Sequence, residues 1–195
     1  MRVRSSLVLV SLVVVATGGC TIGGTATPSG NNTQATTSKP SQAASSRPRV
    51  VDLKGLDECK TLTSTQQKEL KTARFESDPL DISGQGSKAP TCHYDSDGIP
   101  LFGYSVSLVT DKGIEFWAEG GNLDVEPAKV GEFPAKQVKL AGTKDAGCSF
   151  VVDTADGQAM YVKFVPITKT FTPEQQCDNA KKAAEFALTT IQTLR

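Results

Sequence analysis

The residues with the widest chemical reach are five cysteines, Cys20, Cys59, Cys92, Cys148 and Cys177, and a single histidine, His93. Thiolates hold soft metals when they come in tight pairs such as C-x-x-C. The last four cysteines stand 33, 56 and 29 residues apart, so zinc-type ligand spacing is absent. One histidine leaves no multi-histidine metal site and a single base for any Ser-His or Cys-His dyad. Cys92 and His93 are adjacent, but neighbours on a strand point to opposite faces, so they do not form a nucleophile–base pair. His93 reads as a surface strand residue.

Disulfides are the better chemistry for Cys59, Cys92, Cys148 and Cys177, which permit three connectivities. Sequential pairing is favoured, Cys59 with Cys92 and Cys148 with Cys177, because each bridge would then staple a helical element to a strand. On the loop-entropy account, loops of this length contribute about 3.7 kcal/mol each. Among other candidates, Phe116 and Trp117, flanked by Glu115 and Glu119, could line a ligand site. A sole tryptophan in a small domain is more often core. The six acids between residues 111 and 132, against Lys112 and Lys129, read as a solvated face. No G-x-S-x-G, S-x-x-K or P-loop pattern occurs in the right context, and Gly84-Gln85-Gly86 lacks both the third glycine and a preceding strand.

The elements that must position these groups begin with an address. Arg2 and Arg4 precede an apolar run from residue 7 to 16, followed by Thr17-Gly18-Gly19-Cys20. This is the layout of a secretory signal with a lipoprotein-type end. The run is about 15 Å long as a helix against roughly 30 Å of bilayer hydrocarbon, too short to span. Residues 1–19 are therefore expected to be a signal peptide, with Cys20 carrying a diacylglyceryl group and further acyl chains such as palmitate. Lipidation also explains the odd fifth cysteine.

Residues 20–48 are the lipidated cysteine and a tether of Thr, Ser, Gly, Ala, Asn, Gln and Pro, with Ile22 its one large aliphatic residue. Such a composition builds no packed core. As a coil it spans about 30 Å. Asn31-Asn32-Thr33 matches an N-glycosylation acceptor and is read as accidental.

Residues 49–195 carry the single folded domain, long enough to bury about two thirds of its unfolded surface. Thr63 and Gln66 form a capping box, and the helix they open is expected over 64–73. Residues 75–89 read as a loop. Strands are expected at 90–94, over 102–108 as a half-buried alternation, and at 130–140, 147–153 and 158–166. Thr154-Ala155-Asp156-Gly157 marks a hairpin. Residues 113–122 fit either a short helix or an irregular excursion. Thr172-Pro173-Glu174-Gln175 opens a long final helix, whose apolar stripe includes Cys177, Ala180, Ala184, Ala187, Leu188 and Ile191. The fold class is α+β: an antiparallel sheet flanked by an N-terminal helix and a long C-terminal helix, with two disulfides.

The contexts of the cysteines resemble a known family. Leu56-Asp57-Glu58-Cys59-Lys60-Thr61-Leu62-Thr63, Cys92-His93-Tyr94, Gly131-Glu132-Phe133-Pro134-Ala135, Cys148-Ser149-Phe150-Val151-Val152-Asp153 and the segment beginning Cys177-Asp178-Asn179-Ala180 occur in its order and spacing. The resemblance is to actinobacterial cell-envelope lipoproteins of domain-of-unknown-function family 3558, over residues 51–194. It implies a lipid-anchored, disulfide-bonded α+β domain, with a PsbP-like sheet as fold analogy, and no catalytic residues to carry over.

Charge narrows the function. The whole chain balances 21 basic against 21 acidic residues, which gives no basic footprint for nucleic acid. No cofactor and no metal are expected, and no enzymatic role. The leading expectation is a non-catalytic module on the outer face of the cytoplasmic membrane, anchored through Cys20 and binding a protein or cell-wall component. The alternative is a small-ligand or lipid-binding carrier using the Phe116–Trp117 region. A cavity of several hundred Å³ favours the carrier; a flat apolar patch favours the partner-binding module.

Overall fold

The computed structural model describes residues 46–194 except 83, 119 and 120. The expected signal peptide, Cys20 and most of the tether lie outside the described residues. Seven strands make one antiparallel sheet: β1 (Thr72–Ser77), β2 (Thr91–Ser96), β3 (Phe102–Val109), β4 (Leu123–Val130), β5 (Phe133–Leu140), β6 (Cys148–Ala155) and β7 (Gln158–Pro166), in the order β1-β2-β3-β7-β6-β5-β4. Two helices accompany it, α1 (Ser64–Glu69) and α2 (Pro173–Ile191). The expected α+β class and both sequential disulfides are present, with Cys59 bonded to Cys92 and Cys148 to Cys177.

The period-two alternation of the strands decides what each face buries. On one face, Tyr94, Tyr104, Phe164 and Cys148 lie in a single row across β2, β3, β7 and β6. Against this face lies α2, whose Ala180, Ala183, Ala184 and Ala187 are wholly buried, because methyl side chains let a helix approach a sheet closely. Both helices carry the capping boxes read from sequence, Thr63 with Gln66 and Thr172 with Gln175. Both bridges sit on this face, since Cys92 pairs with Val106 and Cys148 with Phe164 in register.

The opposite face is covered more thinly. Ala89, Val109, Trp117, Val138, Val151 and Ala159 form a separate small cluster there, beneath the 3-10 turn at Ile114–Phe116. β3 is buried on both faces from Tyr104 to Val109 rather than half-buried throughout, and Val109 at its end joins that cluster.

Three expectations of detail change. The helix at 64 stops at Glu69, and residues 72–77, read as helix end and loop, form β1. The segment 130–140 is not one strand but the end of β4, a turn at Gly131-Glu132 and β5. Pro127 lies inside β4, which is tolerated because β4 is an edge strand. Arg47, assigned to the tether by composition, is held by Asp153 and Asp156, and Val51 donates to the Thr154 carbonyl at 2.8 Å. The folded domain thus includes residue 47 as well as residues 49–194.

Candidate functional site: an aromatic pocket under the helix face

At one end of the helix face, four rings converge. Phe102 and Tyr104 alternate inward from β3, Phe164 faces them from β7 through the Tyr104–Phe164 register pair, and Phe171 follows β7 just before α2. Their centroids lie 5.0 to 5.7 Å apart, mostly edge to face, the geometry that ring quadrupoles favour. They line a pocket of about 260 Å³.

Polar groups meet the rings at its rim. Glu69, the acid among them, is the last residue of α1 and Lys71 follows its C-cap Leu70; Asn179 and Lys182 come from one side of α2. Tyr104 brings a hydroxyl to the same lining. Tyr104 is 3% exposed, and its hydroxyl reaches Asn179 Oδ1 only at 3.5 Å, beyond the usual O–H···O range of about 2.5–3.0 Å. Burial pushes this phenol well above the ordinary tyrosine range, so it stays protonated and available as a donor. The arrangement suits a compact apolar body with a hydrogen-bond acceptor; it brings together no nucleophile and base.

The rim also carries exposed apolar residues. Ile99 is 90% exposed, and Leu101 and Ile167 stand out beside it, tied by donation from the Ile167 and Thr168 amides to the Leu101 carbonyl. Ile99 is followed by Pro100, which itself borders the pocket. A second, larger groove of about 520 Å³ lies between Pro48–Arg49, the Gly131-Glu132 turn and the far end of α2. Its rim acids, Glu132 and Glu185, converge on no ring cluster of this kind.

The sequence candidates lie elsewhere. Trp117 is 4% exposed and stacks on Tyr161, with centroids 6.2 Å apart, and its carbonyl accepts from Lys136 Nζ. The space beside it is about 10 Å³, no more than one water. Trp117 belongs to the smaller core, whereas Phe116 packs edge to face on it from outside, exposed and under the Lys112 ammonium. Cys92 and His93 do face opposite ways: the thiol is bridged, and the imidazole Nε2 lies 3.2 Å from the Asp78 carbonyl. Of the acids between 111 and 132, Asp111 is held below the usual carboxylate range chiefly by the Ser87 hydroxyl, which donates to it at 2.8 Å, and also by Lys112. Among the described residues no group of three or more His, Cys, Asp or Glu could hold a metal ion.

Sequence reasoning missed the pocket because its rings are scattered over 70 residues and three elements. The available signal was the inward alternation Phe102–Tyr104 together with Phe164, two residues before Pro166. Register alone decides that they meet.

No curated protein and no solved structure matches this chain. A family model described as a protein of unknown function, DUF3558, matches residues 15–190, nearly the whole length, and the chain belongs to that family.

Proposed function

We propose that this protein is a membrane-tethered, extracytoplasmic binding protein that holds a small amphiphile in the pocket formed by Phe102, Tyr104, Phe164 and Phe171. The observation that carries the reading is a buried tyrosine whose ring packs on Phe102 and Phe164 beside the pocket, while its hydroxyl has only a long 3.5 Å contact to Asn179 Oδ1. Apolar pockets with a few convergent polar groups are the usual form of small-molecule sites. The tether fits this role, since a coil of the composition of residues 20–48 has an r.m.s. span of about 30 Å between an acylated Cys20 and the domain. The signal-like N-terminal run and the Thr17-Gly18-Gly19-Cys20 end support a location on the outer face of the cytoplasmic membrane.

Two measurements test it. Detergent-phase partitioning should place the wild type with the detergent and Cys20→Ser with the aqueous phase, because serine offers no thioether sulfur; equal partitioning with no acyl label on either overturns the anchor. Native mass spectrometry of the chain extracted from its own membranes should show a small organic adduct that Phe171→Ala loses. A bare mass for both overturns the pocket reading.

The exposed Ile99, Leu101 and Ile167 favour a second reading, in which the same end of the sheet docks a protein or cell-wall component. A photo-crosslinking residue at position 99, activated in intact cells, should capture a discrete partner under this reading and only random products under the first.

A further inference from the structure

We infer that the pocket selects an anionic ligand, a small organic acid with a flat or branched apolar body, and that Lys71 is kept at the rim for its charge in spite of its backbone. The inference rests on the pocket being the binding site, and it names the ligand class. Lys71 is the only non-glycine among the described residues with a positive φ, at 57°. It occupies the position just after the α1 C-cap Leu70, and its amide closes the helix end on the Lys68 carbonyl at 3.0 Å. This is the left-handed cap position where glycine is the ordinary occupant, because a Cβ there crowds the following carbonyl. Lysine offers the cap nothing that glycine lacks. What it adds is a basic side chain on the border of the pocket that Tyr104 also lines.

Charge around the pocket points the same way. Lys71 and Lys182 border it against one acid, Glu69, and neither lysine forms an ion pair among the described residues. Lys182 Nζ instead stands 5.3 Å over the Phe186 ring, a place from which it can swing to a ligand. A carboxylate seated among the rings would accept from the Tyr104 hydroxyl and meet two ammonium groups at the mouth. The pocket holds the liquid volume of about nine waters at ~30 Å³ each, which suits a single aromatic ring with a short acidic arm.

The test uses three probes with one body and three charges: phenylacetate, 2-phenylethanol and 2-phenylethylamine. Each is titrated into the full-length lipidated chain in detergent micelles, with NMR read on the ring protons of Tyr104 and Phe171. Phenylacetate should bind about tenfold more tightly than the alcohol, and the amine least tightly, since a charge-assisted contact adds roughly that much. K71G and K182Q should each weaken phenylacetate by about three- to tenfold while leaving the alcohol unchanged. K71G should at the same time raise Tm by about 2–4 °C, because it relieves the left-handed backbone. An acid that binds no tighter than the alcohol while both perturb the rings overturns the charge selection and leaves the pocket reading standing. If none of the three perturbs those rings, the pocket reading falls and this inference with it. A K71G chain that melts lower overturns the claim that Lys71 is held against its backbone preference.

Discussion

The two faces of the sheet are built from the same strands and are covered in opposite ways. Under α2, four buried alanines, a run of aromatic rings and both disulfides give a face that is closed and covalently pinned. On the other side, six buried residues, Trp117 among them, sit under a 3-10 turn, with no α-helix and no disulfide against them among the described residues. Beyond that cluster the second face is polar: Thr91 bonds Ser107 at 2.8 Å, Ser149 bonds Tyr161 at 2.8 Å, Lys163 stands between Ser105 and Ser149 in register, and His93 lies opposite Ser105. The contrast separates stability from binding. The pinned face can leave a pocket at one end without losing its packing, because α2 and two staples fix the surrounding walls.

The contrast is broken most directly at Trp117. Buried tryptophan to alanine removes a large apolar area and leaves a cavity, typically about 3–5 kcal/mol. Trp117→Ala should lose stability in that range by urea denaturation, with hydrogen exchange rising first in β6 and β7 amides on the unpinned side. A loss under about 1 kcal/mol would mean that the second face contributes little and that the pinned face alone carries the fold.

The next largest effect is expected from the staple between β6 and α2. Replacing Cys148 and Cys177 together by alanine should cost about 2–5 kcal/mol, the usual range for a native bridge in a small secreted domain. Part of the docking should survive, since Ala180, Ala184 and Ala187 still bury against the sheet and Gln176 still donates to the Lys144 and Phe171 carbonyls. Thermal unfolding of the double variant that matches the wild type would show that the bridge adds nothing to a face already held by packing.

What was legible in the sequence followed from local chemistry. The Thr172-Pro173-Glu174-Gln175 start fixes α2, and β7 ends where Pro166 follows the alternation. The sequential bridges follow from the placement of Cys59 and Cys177 at helical turns beside strands. β1 was hidden because only Thr72 of its six residues is buried, so Thr72–Ser77 has no period to read. β4 was hidden by Pro127 and by alternating charges that suit an edge strand as well as a loop. The pocket depends on pairing between strands 60 residues apart, and the left-handed backbone of Lys71 leaves no trace in the identity of the residue.

The smallest effect, and the one that bears most closely on the second face, belongs to Lys163. It occupies the centre of β7, next to Phe164, which points to the other face and is fully buried. Burial holds the Lys163 ammonium below the ordinary lysine range, and among the described residues no carboxylate pairs with it. Its Cε lies toward the Gly147 turn, with Ser105 and Ser149 on either side; the nearest titratable residues in register on that face are His93, opposite Ser105, and Tyr161, whose phenol burial pushes up. A lysine whose folded pKa lies below its unfolded value binds its proton less readily when folded. Its cost to stability is therefore fully present below the folded pKa and disappears as pH rises past the unfolded value of about 10.4. Lys163→Met should accordingly raise stability at pH 7, by less than either loss above, and the gain should shrink toward zero as pH approaches 10. Denaturation curves of both chains at pH 7 and pH 10 decide the matter. A variant less stable at pH 7, or a gain that does not change with pH, would show that the ammonium is well solvated and that this face is open to water at its centre.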